Sequence, residues 1–166
     1  MRTFGITLAI AAVSATALMA QGRGAPPPTK DYTSAAEVAA IIAQDKAEHK
    51  DGQQPLVAKR LLTLNPIGAN LEYRTGIAPA AVHETDAEMF YVIDGSGTIM
   101  TGGKLTGEKR TNPENLTGTG IEGGKSQDVA KGDFFIVPQN TPHWFSKING
   151  TLVLMTVRVP RSADSK

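Results

Sequence analysis

The chain has no cysteine, which rules out disulfides, thiolate metal sites and cysteine nucleophiles together. Tryptophan occurs once and histidine three times. Neither sign of charge dominates, with 17 Lys+Arg against 16 Asp+Glu. There is no basic run and no stripe of Lys and Arg interleaved with aromatics, so no nucleic-acid partner is expected. At 166 residues the chain suits one domain with a real core. Without disulfides that domain depends on packing, helped by a metal or a second subunit.

Long apolar runs are also scarce, and the one present is at the N-terminus. Arg2 precedes an apolar stretch from Phe4 to Val13 and from Ala15 to Met19, followed by small residues at Ala15, Ala17 and Ala20. This is the layout of a secretory signal peptide over 1–20. Gly5, Thr7, Ser14 and Thr16 dilute the run below what a membrane span needs. Its removal leaves 16 Lys+Arg against 16 Asp+Glu. A secreted or periplasmic protein is therefore expected, with no membrane contact after cleavage.

Residues 21–33 open with QGRGAPPPTK and read as a flexible leader. Ser34 and Glu37 form a capping box ahead of Val38, Ile41 and Ile42. They predict a helix from Ser34 to His49 within an N-terminal segment 34–54, with His49 as a solvent-facing cap. From 55 to 160 short apolar segments alternate with Gly, Pro and Asn. Strands are predicted at 56–64, 69–74, 80–84, 88–93, 97–101, 127–130, 134–137, 143–147 and 151–159. Such a series implies an all-β sandwich or barrel. Residues 102–126, with seven glycines, read as a long loop or loose hairpin.

Two segments carry the chemistry. In "GDFFIVPQNTPHWF", Gly132, Pro138 and His143 keep the spacing of the later signature of the cupin family, which they resemble. Asn140 replaces that signature's second glycine, as a residue that tolerates left-handed backbone can. Lys147 stands where the signature ends in Asn. In "VHETDAEMFYVIDGSG", Glu88 and Gly95 match the earlier signature. Its histidine pair is incomplete: with His83 in the second slot, Ala81 occupies the first. With His83 in the first, Thr85 takes the second and the gap to Glu88 is one residue short.

The resemblance, over about residues 70–158, implies a cupin-type jelly-roll β-barrel with an N-terminal helix. It also implies that His83, Glu88 and His143 are metal ligands and carry the catalysis. Glu84 is a doubtful fourth ligand, since alternation points it outward. Two imidazoles and a carboxylate with open positions suit one divalent transition metal, copper or iron first, with Mn, Ni or Zn also compatible. The reading that follows is an oxidoreductase acting on a carbohydrate, polysaccharide or phenolic substrate. A sugar- or metal-binding module without turnover, and a non-redox lyase or isomerase, stand as alternatives. Tyr73, Arg74, Phe90 and Trp144 are substrate candidates, and family habit implies a homodimer.

Each ligand candidate alone also fits a structural role. Glu88 can pair with Arg74 on a rim, His143 can plug a barrel end, and His83 can sit on a loop. Phe134 and Phe135 read as core, and whether Phe145 shares the inward face of His143 depends on a bulge.

Overall fold

The computed structural model describes residues 28–49 and 54–160. The signal-peptide reading and the first part of the leader lie outside them. Within the described residues no helix is long and apolar enough to cross a membrane.

Helix α1 spans Ala35–Glu48, capped by Ser34 and ending at His49. The capping box forms as the sequence predicts: the Glu37 amide donates to Ser34 Oγ and the Ser34 amide to the Glu37 carboxylate. The leader is not wholly free. Lys30 exchanges backbone hydrogen bonds with Thr63, and the Thr33 hydroxyl donates to the Leu61 carbonyl at 2.6 Å.

Eleven strands follow: β1 Leu56–Leu64, β2 Ile67–Arg74, β3 Ala80–His83, β4 Asp86–Thr101, β5 Lys104–Thr106, β6 Lys109–Asn112, β7 Asn115–Gly118, β8 Gly120–Glu122, β9 Lys125–Ala130, β10 Phe134–Val137 and β11 His143–Pro160. Four predicted segments fuse into the two long strands β4 and β11. These two pair with each other from end to end. The first half of β4 carries β10 on its other edge, and the second half carries β9. The second half of β11 carries β2 and then β1, while its start meets β3, then β7 and β6. Two layers therefore share two bent strands, β1-β2-β11-β4-β10 and β6-β7-β3-β11-β4-β9. Among the described residues the hydrogen bonding does not run full circle as a closed sheet would: β6, β9 and β10 are edges, and β1 meets only the Lys30 bridge.

The bend needs glycine. Gly95 has φ 83 and faces the β11 excursion at Thr151, whose carbonyl leaves no room for a Cβ. Between the layers, Phe90, Val92, Ile99, Val129, Val137, Phe145, Leu152 and Leu154 form the main core. A second cluster, with Leu61, Leu71, Tyr73 and Val153, lies on the outer face of β1, β2 and β11 beneath Val38, Ile41 and Ile42 of α1. Asp45 of α1 is fully buried and pairs with Lys59 Nζ at 2.7 Å, tying the helix to β1.

Several expectations change. Of the two readings of residues 102–126, the hairpin holds and the long loop does not: β6 pairs with β7 inside and β5 with β8 outside, and β6 and β7 extend the second layer. Polar strands of three or four residues leave no apolar periodicity to read. His49 is half-buried rather than solvent-facing: its ring meets Tyr73 at 6.0 Å and its Nε2 bonds Thr75. Phe134 is 62% exposed, because alternation along β10 turns Phe135 and Val137 inward instead. A register shift between Phe145 and Lys147 marks a bulge, and Phe145 stays on the inward face with His143.

Candidate metal centre

Three short-range rules set the cluster. Left-handed backbone at Gly132 (φ 93) turns the chain from β9 into β10, and at Asn140 (φ 55) from β10 into β11. The Asn140 amide donates to the His83 carbonyl at 2.7 Å, fixing the end of β3 against that turn. Alternation along β4 then places Glu88, Phe90 and Val92 on one inward row.

The result is a convergence of three donors. His83, Glu88 and His143 each offer a ligand atom, and these atoms all lie within 4.8 Å of one another. Nε2 of both rings stands 3.2 Å from Glu88 Oε2. All three residues are buried, at 8%, 5% and 7% exposure. Phe90 packs edge-on to the His143 ring at 6.1 Å and stacks on Phe135 at 4.9 Å, closing the inner side with hydrocarbon.

The second nitrogens decide the protonation pattern. His143 Nδ1 faces the Thr141 carbonyl at 3.2 Å, and a carbonyl only accepts, so the proton is on Nδ1. His83 Nδ1 faces Asn115 Oδ1, while Asn115 Nδ2 donates to Asn112 Oδ1 at 2.8 Å. The amide oxygen is thus turned to His83, which again donates from Nδ1. Both Nε2 lone pairs therefore point toward a carboxylate oxygen, with no proton between them in the neutral rings. Three lone pairs facing one point is an arrangement that a cation resolves.

The Glu88 carboxyl is subject to two opposing effects. Burial favours its neutral form, but where the facing rings carry a proton on Nε2, as metal-free imidazolium does, hydrogen bonding and attraction from His143 and His83 outweigh burial. The carboxyl is held far below the usual carboxylate range. A permanently ionised carboxylate with two imidazoles is a donor set for a divalent transition ion.

The other candidates separate clearly. Arg74 does not reach the cluster or pair with Glu88; Glu72 takes its guanidinium at 2.6 and 2.9 Å, and it lies 4.6 Å from the Phe145 ring centroid. Tyr73 belongs to the helix-facing cluster on the opposite side of β2, so it cannot line the interior. Trp144 also faces away from His143, by alternation; its indole donates to the Ala78 carbonyl at 3.0 Å and packs near Gly120. Phe90 is the one substrate candidate that touches a ligand ring. Glu84 is engaged by Arg110 at 2.7 and 3.0 Å and turns outward, as alternation requires. Ala81, in the empty histidine slot, is paired directly with His143 and offers no donor.

A sequence profile described as "Cupin" matches residues 56–161, well over half of the chain. The chain belongs to the cupin family. No curated protein matches this cupin. Among solved structures it is similar to Fe(II) HppE, at 15% identity and TM-score 0.49, over 68% of this chain and 54% of that one. This cupin thus spans about half the length of HppE. It is similar to KdgF from Halomonas sp., at 17% identity and TM-score 0.48, over 71% and 92% of the two chains. The cupin domain of Schizosaccharomyces pombe Cnp3 matches at 15% identity and TM-score 0.48, over 65% and 66%.

Residues that sequence reasoning missed complete the site. Arg158, opposite Glu88 on β11, puts Nη2 3.0 Å from His83 Nε2 and Nε 3.7 Å from Glu88 Oε1. Asn115 lies in the segment read as a loop. Strand parity counted back from Glu88 across the β4–β11 pair would have found Arg158, but the bulges in β11 break any count from His143.

Proposed function

We propose that this cupin is an exported, metal-dependent oxidoreductase in which His83, Glu88 and His143 hold iron(II) or copper. The observation that carries the reading is the convergence of two Nε2 lone pairs and one ionised carboxylate. Both Nδ1 protons are anchored elsewhere, on Asn115 and Thr141. Two nitrogens and one oxygen with positions left open are the donor pattern of non-haem iron(II) sites, which places iron ahead of copper. The bound ion would supply Lewis acidity and one-electron chemistry toward dioxygen.

The chain's own residues do the rest. Asn115 and the Thr141 carbonyl keep each imidazole in the tautomer that leaves Nε2 without a proton. Phe90, Phe135 and Phe145 exclude water from the inner side, which strengthens every charge interaction at the cluster. The carbohydrate or phenolic substrate class, the secreted or periplasmic location and a homodimer belong to the same proposal. The signal-like N-terminus supports export.

The test is elemental analysis of the mature protein, followed by an assay for peroxide production with a reductant. We expect about one metal per chain, redox activity, and loss of the metal in His143→Ala. Full metal occupancy in that variant would reject the site. Metal bound without redox response would leave a binding module or a non-redox lyase or isomerase.

A further inference from the structure

We propose that Arg158 and Arg60 form an anion-binding rim beside the cluster, and that the carbohydrate or phenolic substrate of this cupin carries a carboxylate. The inference takes the reacting end of the substrate from the metal reading above, but the rim itself stands on the arginines alone.

Arg158 shares a register row with Glu88 on β4 and Gly68 on β2. It is half-buried, with its side chain 42% exposed, so its fork reaches both the cluster and the solvent side. Its bond to His83 Nε2 uses the lone pair a metal would take. A bound ion would therefore free Arg158 donors at the edge of the site. A guanidinium has five donors and stays charged.

Arg60 approaches the same row from β1. Its partner in register is Asn70, which is in turn paired with Thr156 of β11. Its guanidinium lies over Gly68, where a Cβ would overlap Nη1. The missing side chain at Gly68 is thus what brings Arg60 toward Arg158. Among the described residues Arg60 has no carboxylate partner, and Glu88 is the one acid within ion-pair distance of Arg158.

Two guanidinium groups against one carboxylate leave the mouth positive even before a cation is added. Like charges on one face are unfavourable without an anion between them. Thr156 lies two residues before Arg158 on β11. It is fully buried on the inward row, between Asn70 and Phe90 in register, and its hydroxyl has no hydrogen-bond partner. Planar guanidinium forks match a carboxylate bidentately, which makes an organic acid the favoured ligand over a neutral sugar.

The experiment uses the mature protein loaded with Co(II), followed by its absorption, and calorimetric titration with oxalate, lactate, D-galacturonate, D-galactose and inorganic phosphate. A carboxylate is expected to bind at least about tenfold tighter than galactose, with affinity falling as salt rises. Arg158→Gln and Arg60→Gln should each weaken that binding about tenfold, the scale of one charged hydrogen bond. Arg158→Gln should also hold Co(II) at least as tightly as the wild type, because a competing cation is gone. A merely structural arginine would not separate the two affinities in this way.

Carboxylates binding no better than galactose, phosphate binding in their place, or unchanged affinity in both variants would overturn the proposal. If Arg158→Gln fails to fold by circular dichroism, the exposed Arg60→Gln carries the test. Arginine-dependent carboxylate binding in protein that takes up no cobalt would keep this inference and defeat the metal reading instead.

Discussion

The Asn115 amide is itself held by Asn112, whose Oδ1 also accepts from the Glu114 backbone at 2.9 Å. This chain of fixed donors ends at His83 and sets which ring nitrogen is free. Asn115→Ala should therefore weaken metal binding by about 10–100-fold while leaving the fold intact. A competition assay with a chromogenic chelator checks it, and an unchanged affinity would show that the tautomer is set by something else. Glu88 gives a second expectation at this scale. Its folded pKa is depressed, so the ionised carboxylate stabilises the metal-free protein fully above its ordinary value of 4.5. That contribution is lost as pH falls below 4.5 toward the folded value. In chelator, the urea midpoints of wild type and Glu88→Gln should lie apart just above the ordinary value of 4.5 and approach each other as pH falls toward 3. Parallel curves down to pH 3 would contradict the assignment.

At the scale of elements, the turn from β10 to β11 does more than reverse the chain. Asn140 is the one described non-glycine residue with positive φ, and its amide holds the His83 carbonyl. Asn140→Gly should be nearly neutral, whereas Asn140→Val should cost about 1–2 kcal/mol and loosen His83. Thermal denaturation with and without metal measures both, and equal melting temperatures for the two variants would remove the argument. This turn was legible from sequence because Pro138 and Asn140 carry backbone constraints, as Gly132 does in the turn before β10. The capping box at Ser34 and the bounds of β1 and β10 were legible for the same reason, since local patterns fix them. The strands between 104 and 122 were not. β6 is exposed throughout and the others hold only Leu105, Leu116 and Ile121 as large apolar residues, so pairing of β7 with β3, β6 with β7 and β5 with β8, rather than burial of an apolar face, makes them strands. Asn115 was hidden by that, and Arg158 by the bulges in β11.

For the whole molecule, the inward faces of the two layers account for the core, and one outward face does not. Phe134 and Ile136 on edge strand β10 are 62% and 57% exposed, and Tyr91 beside them is 39% exposed. An uncovered apolar edge strand invites pairing, and a second copy of this chain is the partner that the proposed homodimer supplies. Phe134→Glu with Ile136→Lys should give a monomer by sedimentation, with metal content unchanged. A wild type that sediments as a monomer would end that part of the proposal. The cluster itself straddles the sandwich: His83 and His143 come from one layer and Glu88 from the other. Among the described strands those layers share only β4 and β11. An ion held by the three side chains would therefore act as a clasp across the seam. Loading it would stiffen the molecule against splaying of its two halves, well beyond the few atoms it touches.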